Sequence, residues 1–263
     1  MNVLCCASEL EAPSAAYEPR AEIRSEAREL NPLGTTGLNA AFRWEAADAY
    51  LFDIDGTLLN SRDGVHYNAF HNAVRQFFGV PSKIDRVPLH GNTDLGIIRA
   101  VLRREGVSDA EIDAKLPLMT AAMCEEVERN AIGMQPALCP SVAELLSRLD
   151  GVGKLLAIAS GNLEQIAWKK LEAADLRRYF AFGSFSDRRE QRADIIRWAV
   201  AEARRRLSAA AVVYVVGDTP SDIQAAHAAG VPVIAVATGI FSLEQLREHG
   251  PDLCVSCCTE LLT

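Results

Sequence analysis

The chain has 263 residues, of which 49% are hydrophobic and 24% charged, with a formal net charge of −8 at pH 7. This composition is ordinary for a globular enzyme, and the length allows one large domain or a core domain with a smaller inserted one. The acidic balance argues against nucleic acids and anionic membranes as partners, because both are bound by clustered lysine and arginine. No stretch approaches the roughly 18 apolar residues that a membrane span needs.

Residues 1–45 differ in composition from the rest of the chain. They contain three prolines and lead into NPLGTTGLN, which is typical of a linker, so we expect a flexible N-terminal extension. The N-terminus lacks the basic segment and long apolar run of a secretory signal. Seven cysteines, an odd number, then favour reduced thiols and a cytoplasmic location.

From residue 48 onward, short apolar runs alternate with amphipathic stretches. We predict strands at AYLF (49–52), LLAIA (155–159), VVYVV (212–216) and VPVIAVAT (231–238), with a further strand around YFAFG. Such short and nearly continuous apolar runs indicate a parallel sheet that is covered on both faces. Helix-period stretches between them, such as LEQIAWKKLEAADL and ADIIRWAVAEARRRL, predict an α/β fold with a doubly wound parallel sheet, built from residues 46–62 and 138–263.

Residues 63–137 interrupt this alternation. They contain three helix-period stretches, VHYNAFHNAVRQFFG, TDLGIIRAVLRREG and AEIDAKLPLMTAAMCEEVERN, and no convincing buried strand. We expect an all-helical cap domain, inserted between the first and second strands and standing over the edge of the sheet.

Polar residues follow three of the predicted strands, in DIDGT, SGN and GDTPSD. Ligands of open α/β sheets bind beyond the carboxyl ends of the strands, so these residues are expected to meet along one rim. The set comprises Asp53, Asp55, Ser160, Asn162, Asp218 and Asp222. Individually, several of them could be turn residues or helix N-caps, but their joint arrival favours a functional site.

Four carboxylates in one crevice repel each other, by about 4 kcal/mol for a pair at ~4 Å in an effective dielectric of about 20. A divalent cation relieves this repulsion, and the octahedral preference of Mg²⁺ suits two or three acids together with waters. Such an ion can also hold a phosphate oxygen. The pattern therefore predicts Mg²⁺ as a cofactor and a phosphorylated ligand.

The motifs DIDGTLL, SGN and GDTPSDIQAAHAAG resemble those of the haloacid dehalogenase superfamily, in particular its magnesium-dependent phosphatases of the phosphoglycolate phosphatase kind. HGNTD in the cap and KKLEAADLRRYFAFGSF after the second motif extend the likeness over residues 50 to 262. A D-x-D-G-T strand end followed by G-D-T-x-x-D is a specific pattern. The resemblance implies hydrolysis of a small phosphorylated metabolite through an aspartyl-phosphate intermediate.

The resemblance also implies roles for individual residues. Asp53 is the expected nucleophile, and Asp55 the expected proton donor and acceptor, which offers the metal only its backbone carbonyl. Asp218 and Asp222 are expected to complete the metal site. Ser160 and the amide of Gly161 are expected to bind the phosphoryl oxygens beside a helix N-terminus.

Two further residues of these motifs have open interpretations. Asn162 is either a helix N-cap or a further phosphoryl contact. Thr57 is expected to stabilise the turn after Asp55 and is a candidate for phosphate binding.

One departure from the family pattern concerns a cation. Relatives usually carry a lysine before the fourth motif, whereas this chain has FSDRREQRADIIRW there. We predict that Arg192 supplies this charge, because a guanidinium forms forked hydrogen bonds to oxyanions; Arg188 and Arg189 are weaker candidates. Lys170 is the rival, but it lies eight residues beyond Asn162, about 12 Å along a helix. We therefore expect its side chain to fall short of the site.

The cap offers candidate substrate contacts in two places. These are His66, near the start of its first helix, and His90, Asn92, Thr93 and Asp94 in HGNTD. The simpler alternatives are a surface histidine for His66 and helix caps for Thr93 and Asp94.

Other functions remain open at this stage. A sugar phosphomutase or another phosphotransferase of the same superfamily would use the same scaffold, and a scaffolding protein without activity would not need all four acids. The sequence does not distinguish a monomer from a homodimer, and it does not identify the natural substrate.

Overall fold

The computed structural model describes residues 42–61, 63–84, 87 and 91–263. Within this part of the chain the elements follow in this order: β1 (Ala49–Phe52), β2 (Leu59–Ser61), α1 (Val65–Phe78), α2 (Asp94–Arg104), α3 (Asp109–Asn130), β3 (Pro136–Leu138), α4 (Val142–Gly151), β4 (Leu155–Ala159), α5 (Glu164–Ala173), β5 (Phe182–Ser184), α6 (Arg192–Arg206), β6 (Val213–Gly217), α7 (Pro220–Ala228), β7 (Val233–Val236), α8 (Leu243–Arg247) and β8 (Leu253–Val255).

Six strands form one parallel sheet in the order β5-β4-β1-β6-β7-β8. The central strand β1 pairs with β4 on one side and β6 on the other, with Ala49 opposite both Leu155 and Val213. The carboxyl ends of these three strands therefore lie at one edge. The predicted doubly wound parallel sheet is confirmed, and β8 is its sixth strand.

Alternate residues of β1 enter two different apolar cores. Tyr50 and Phe52 pack with residues of α4 and α5, whereas Ala49 and Leu51 pack with residues of α6 and α7. All four are buried, as expected for a strand with helices on both faces. Phe42 and Trp44, which the prediction placed in the N-terminal extension, also pack against the first core. Residues 1–41 of that predicted extension lie outside the described residues.

The inserted part consists of α1, α2 and α3, which share a third apolar core. This core also contains Leu163 and Ile166, at and just after the start of α5, so the helical cap packs directly on a helix of the sheet domain. A short antiparallel ribbon of β2 and β3, which pairs Leu59 with Leu138, connects the cap to the sheet domain at the two ends of the insertion. This ribbon was not predicted, because each of its strands has three residues and no distinctive pattern.

None of the helices in the described ranges has the length and apolarity needed to cross a membrane.

Candidate active site

The turn after β1 presents Asp53 and Asp55 at the edge of the sheet. The amide of Asp53 donates to Val216 O (3.0 Å), which continues the pairing of β1 with β6. Asp53 is 7% exposed, whereas the side chain of Asp55 is 41% exposed. Gly56 then turns the chain with φ of +87°, a conformation that side-chain-bearing residues rarely adopt.

Three buried carboxylates converge at this point. Oxygen atoms of Asp53, Asp218 and Asp222 all lie within 4.8 Å of one another. Asp218 follows β6 directly, and its Oδ1 accepts a hydrogen bond from Thr57 Oγ1 (2.9 Å). Asp222 lies in the first turn of α7, where its Oδ2 accepts from the amide (3.1 Å) and hydroxyl (2.7 Å) of Thr219.

The electrostatics of this cluster show an excess of negative charge. Burial, together with the charges of Asp222 and Asp53, raises the pKa of Asp218 to about 8. Burial also raises the pKa of Asp53 to about 6, although the charge of Arg192 opposes this change. Both carboxyl groups therefore lose their protons at a higher pH than they would in water.

The residues present fit a hard divalent cation. Asp53 Oδ1 is buried, and its contact with Arg192 Nη2 is an ion pair that lacks good hydrogen-bond alignment, so this oxygen has no well-aligned donor among the described residues. The donor set consists of carboxylate oxygens, which Mg²⁺ prefers. A cation bound among these three carboxylates would also offset the repulsion that adds to burial in raising the two pKa values.

Arg192 begins α6 and reaches into the cluster. Its Nη2 lies 2.8 Å from Asp53 Oδ1, and its Nε donates to Asp222 Oδ1 (2.9 Å), which Nη2 also contacts. Burial alone would lower the pKa of Arg192, but the two carboxylates outweigh it and the pKa is raised. The predicted cation is thus in contact with the predicted nucleophile. Of the two weaker candidates, Arg188 is exposed and Arg189 stacks over the ring of Trp198 at 4.3 Å.

Lys170 also reaches the site, so the expectation that its side chain falls short was wrong. Its Nζ donates to Asp55 Oδ1 (2.8 Å), Asp55 Oδ2 (2.7 Å) and Asn162 Oδ1 (2.9 Å). Helix α5 begins at Glu164, so Lys170 is only about 9 Å along its axis. Helical side chains also lean toward the N-terminus, which brings the ammonium group back to the rim.

Asp55 is thereby separated electrostatically from the other acids. Burial raises its pKa, but the charge of Lys170 and hydrogen bonds from Lys170 and Asn162 outweigh this, and the net pKa is lowered. Two aspartates two residues apart therefore differ in environment, one beside Arg192 and the other beside Lys170.

The segment after β4 contributes Ser160, Gly161 and Asn162, as predicted. Asn162 Nδ2 donates to Asp55 Oδ2 (2.7 Å) and to Ser160 Oγ (2.9 Å). Asn162 is not the N-cap of α5, because Leu163 occupies that position. A Cβ at Gly161 would lie 2.5 Å from Asn92 O, so the close approach of the cap requires glycine here. The hydroxyl of Thr57 donates to Asp218, one of the three clustered carboxylates. The predicted contact of Thr57 with phosphate stays a prediction.

The cap closes one side of a cavity of about 320 Å³ over these residues. His66, Asn92 and Asp94 line it, as do the apolar side chains of Phe70 and Ile97, which the sequence analysis did not single out.

Two of the predicted cap contacts, Thr93 and Asp94, have hydrogen-bond partners within the protein. Thr93 is the N-cap of α2 and accepts from Gly96 N (3.0 Å), so the simpler alternative applies to it. Asp94 does not cap α2. It accepts from Leu163 N (2.8 Å) at the start of α5, and its Oδ2 lies 3.4 Å from His66 Nε2. His90 lies outside the described residues.

Lys170 is the site residue that the sequence analysis misjudged, although a signal was available. On α5 the buried face consists of Ile166, Ala167, Lys170 and Leu171. A lysine in the apolar stripe of an amphipathic helix rarely stays buried without a partner, and this position could have flagged it. The threonine of GDTPSD was a second readable signal, since T-x-x-D predicts the capping box that orients Asp222.

Comparisons with known proteins agree with this geometry. The chain is 29% identical over 214 residues to "Probable phosphatase IndB" of Dickeya dadantii, covering 81% of this chain and 90% of that protein. It is 30% identical over 220 residues to a phosphoglycolate phosphatase of Synechococcus elongatus, covering 81% and 95%. The fold is similar to that of CbbY from Rhodobacter sphaeroides, solved in complex with phosphate, with a TM-score of 0.61, 21% identity and coverage of 82% and 96%. The family model of haloacid dehalogenase-like hydrolases matches residues 50–236, and the chain belongs to this family.

Proposed function

We propose that the protein is a magnesium-dependent phosphatase that hydrolyses a small phosphorylated metabolite through an aspartyl-phosphate intermediate. The observation that carries this proposal is the convergence of Asp53, Asp218 and Asp222 beside Arg192. Of these residues, Asp53 and Arg192 line the cavity, together with Asp55. The names of the phosphatase relatives support the same reaction class.

Asp53, Asp218 and Asp222 would hold Mg²⁺, and the backbone carbonyl of Asp55 is expected to join them. When bound, Mg²⁺ supplies positive charge that neutralises the phosphoryl oxygens. The four aspartates of the first and fourth motifs and the two buried cations paired with members of this set, Arg192 and Lys170, sum to a formal charge of −2. One divalent cation would balance this charge before a phosphate enters.

The chemistry then uses the two aspartates of the first motif in turn. A carboxylate oxygen of Asp53 attacks phosphorus, and the bond from phosphorus to the leaving oxygen breaks as that oxygen takes the proton of the Asp55 carboxyl group, which must start this step in its acid form. In the second half, Asp55 takes a proton from a water molecule whose oxygen attacks phosphorus, and the bond to Asp53 breaks. Ser160 and the amide of Gly161 would hold the phosphoryl oxygens, while Arg192 keeps Asp53 ionised and oriented.

Asp53→Asn tests the nucleophile, because an amide oxygen is a poor nucleophile toward phosphorus. We expect release of phosphate from p-nitrophenyl phosphate to fall to the uncatalysed background while the thermal unfolding transition remains. Asp150→Asn, an exposed carboxylate on α4, is the matched control and should retain wild-type activity. Undiminished turnover by Asp53→Asn would refute the assignment, and full activity in excess EDTA would remove magnesium from the proposal.

The substrate would be identified by screening a few dozen phosphorylated metabolites against the full chain with Mg²⁺. Phosphoglycolate belongs in the screen because several relatives carry the name phosphoglycolate phosphatase.

A further inference from the structure

Lys170 is a buried lysine on a helix face that is otherwise apolar. Ile166, Ala167 and Leu171 form the rest of the buried face of α5, and Lys170 itself is 5% exposed. A lysine is rarely buried unless its charge is compensated, and here both oxygens of Asp55 and the Oδ1 of Asn162 accept from its ammonium group. The three hydrogen bonds of this ammonium group therefore all go to Asp55, the proposed proton donor and acceptor, and to its neighbour Asn162.

The two cations of the site have separate partners. Arg192 contacts Asp53 and Asp222, whereas Lys170 contacts Asp55 and Asn162. Asn162 extends this second group, since its Nδ2 donates to Asp55 and to Ser160. The carboxylate of Asp55 thus has three hydrogen bonds on the side of α5, while its side chain stays 41% exposed to the cavity.

On the basis of the proposed phosphatase reaction, we propose that Lys170 is a positioning residue that keeps the carboxylate of Asp55 directed toward the leaving oxygen and away from the metal ligands. Asp55 is two residues from Asp53, so a metal ion and Arg192 would attract both carboxylates. Lys170 supplies the opposing attraction. Held in this way, the protonated carboxyl group can give its proton to the leaving oxygen in the first half-reaction, and the carboxylate that remains can take a proton from water in the second. A side chain drawn to the metal could do neither.

Lys170→Met tests this role, because methionine has a similar length and no charge. Lys169→Met is the matched control, since Lys169 is the adjacent residue and pairs with Glu128 and Glu172 instead. The two half-reactions are separated by rapid mixing with p-nitrophenyl phosphate and Mg²⁺. Nitrophenolate leaves without a proton, so its burst reports attack by Asp53, whereas the steady state reports hydrolysis of the phosphoenzyme.

For Lys170→Met we expect a stoichiometric burst and a steady-state rate lowered about 100-fold, because general base catalysis contributes ~10²–10⁴. KM should not rise, and Lys169→Met should behave as wild type. A burst and steady state reduced by the same factor would overturn the inference, since a structural defect affects both phases. Wild-type kinetics, or a raised KM with an unchanged steady state, would overturn it as well, the latter by making Lys170 a phosphate ligand.

A second measurement does not depend on turnover. In a crystal structure of Lys170→Met with Mg²⁺, or of Lys170→Gln if the first variant does not fold, the Asp55 carboxylate should have left Asn162. An unmoved carboxylate would contradict the positioning role. Absence of phosphatase activity in the wild type would contradict the proposed function, and the position of Asp55 would then still decide this inference.

Discussion

Asp218 fits into space that two glycines leave open. A Cβ at Gly239 would lie 1.8 Å from Asp218 Oδ2, and one at Gly56 would lie 2.2 Å from the same atom. Gly56 also needs its positive φ, whereas Gly239 is restricted only by the nearby carboxylate. The site therefore depends on residues without side chains as much as on its acids.

Gly239→Ala should displace the carboxylate of Asp218, because the added methyl group and Oδ2 cannot occupy the same space. We expect the Mg²⁺ concentration for half-maximal phosphatase activity to rise at least about tenfold, as for loss of a group that orients a metal ligand. Gly151→Ala, at the end of α4 with no atom near the added Cβ, is the control and should leave this value unchanged. An unchanged Mg²⁺ dependence in Gly239→Ala would argue against Asp218 as a ligand.

At the scale of elements, helix starts orient the acids of the site. Helices α7 and α8 both begin with a capping box, formed by Thr219 with Asp222 and by Ser242 with Gln245. The box of α7 differs in that its partner is also one of the clustered carboxylates. One hydrogen-bond pattern therefore both stabilises the helix and orients a candidate ligand.

Thr219→Ala and Ser242→Ala form a matched pair. Each removes the side-chain acceptor of a capping box, so we expect the free energy of unfolding in urea to fall by about 1 kcal/mol in both. Only Thr219 contacts Asp222. We therefore expect the Mg²⁺ concentration for half-maximal activity to rise in Thr219→Ala and to stay unchanged in Ser242→Ala. The same Mg²⁺ concentration for half-maximal activity in the two variants would show that the hydrogen bond from Thr219 to Asp222 does not affect Mg²⁺ binding.

At the scale of the whole molecule, the site costs stability in the absence of metal. Asp218 and Asp53 are buried, and their pKa values are raised to about 8 and about 6. At neutral pH the unfolded chain releases the proton that the folded Asp218 still holds. Each raised pKa therefore makes folding less favourable as the pH rises, which is the reverse of the usual effect of a salt-bridged carboxylate.

In EDTA, the free energy of unfolding of the wild type should fall between about pH 4 and about pH 8, the normal and the raised pKa of Asp218. Asp218→Asn should be more stable than the wild type at pH 7.5 and should lose part of this pH dependence, as measured by urea unfolding. With excess Mg²⁺ the order should reverse, because ligand at ~100 times its Kd stabilises the wild type by about 2.7 kcal/mol. Asp150→Asn should follow the wild type throughout, and a less stable Asp218→Asn in EDTA would contradict this account.

Much of the architecture could be predicted from the sequence alone. The runs at 49–52 and 155–159 match β1 and β4, and VVYVV and VPVIAVAT contain most or all of β6 and β7. These predictions succeed because a strand buried on both faces must be apolar throughout. Since carboxyl ends of parallel strands share one edge, the meeting of Asp53, Ser160 and Asp218 also followed from the sequence.

What only the tertiary structure decided is which side chains contact each other within that edge. Lys170 and Asp55 are 115 residues apart, and their contact depends on how α5 packs against the sheet. The contact of Asp94 with the start of α5 likewise depends on the docking of the cap. Periodicity and motif spacing determine local structure and strand ends, because they reflect burial along one element. Contacts between elements depend on packing angles and side-chain directions, which no local pattern specifies.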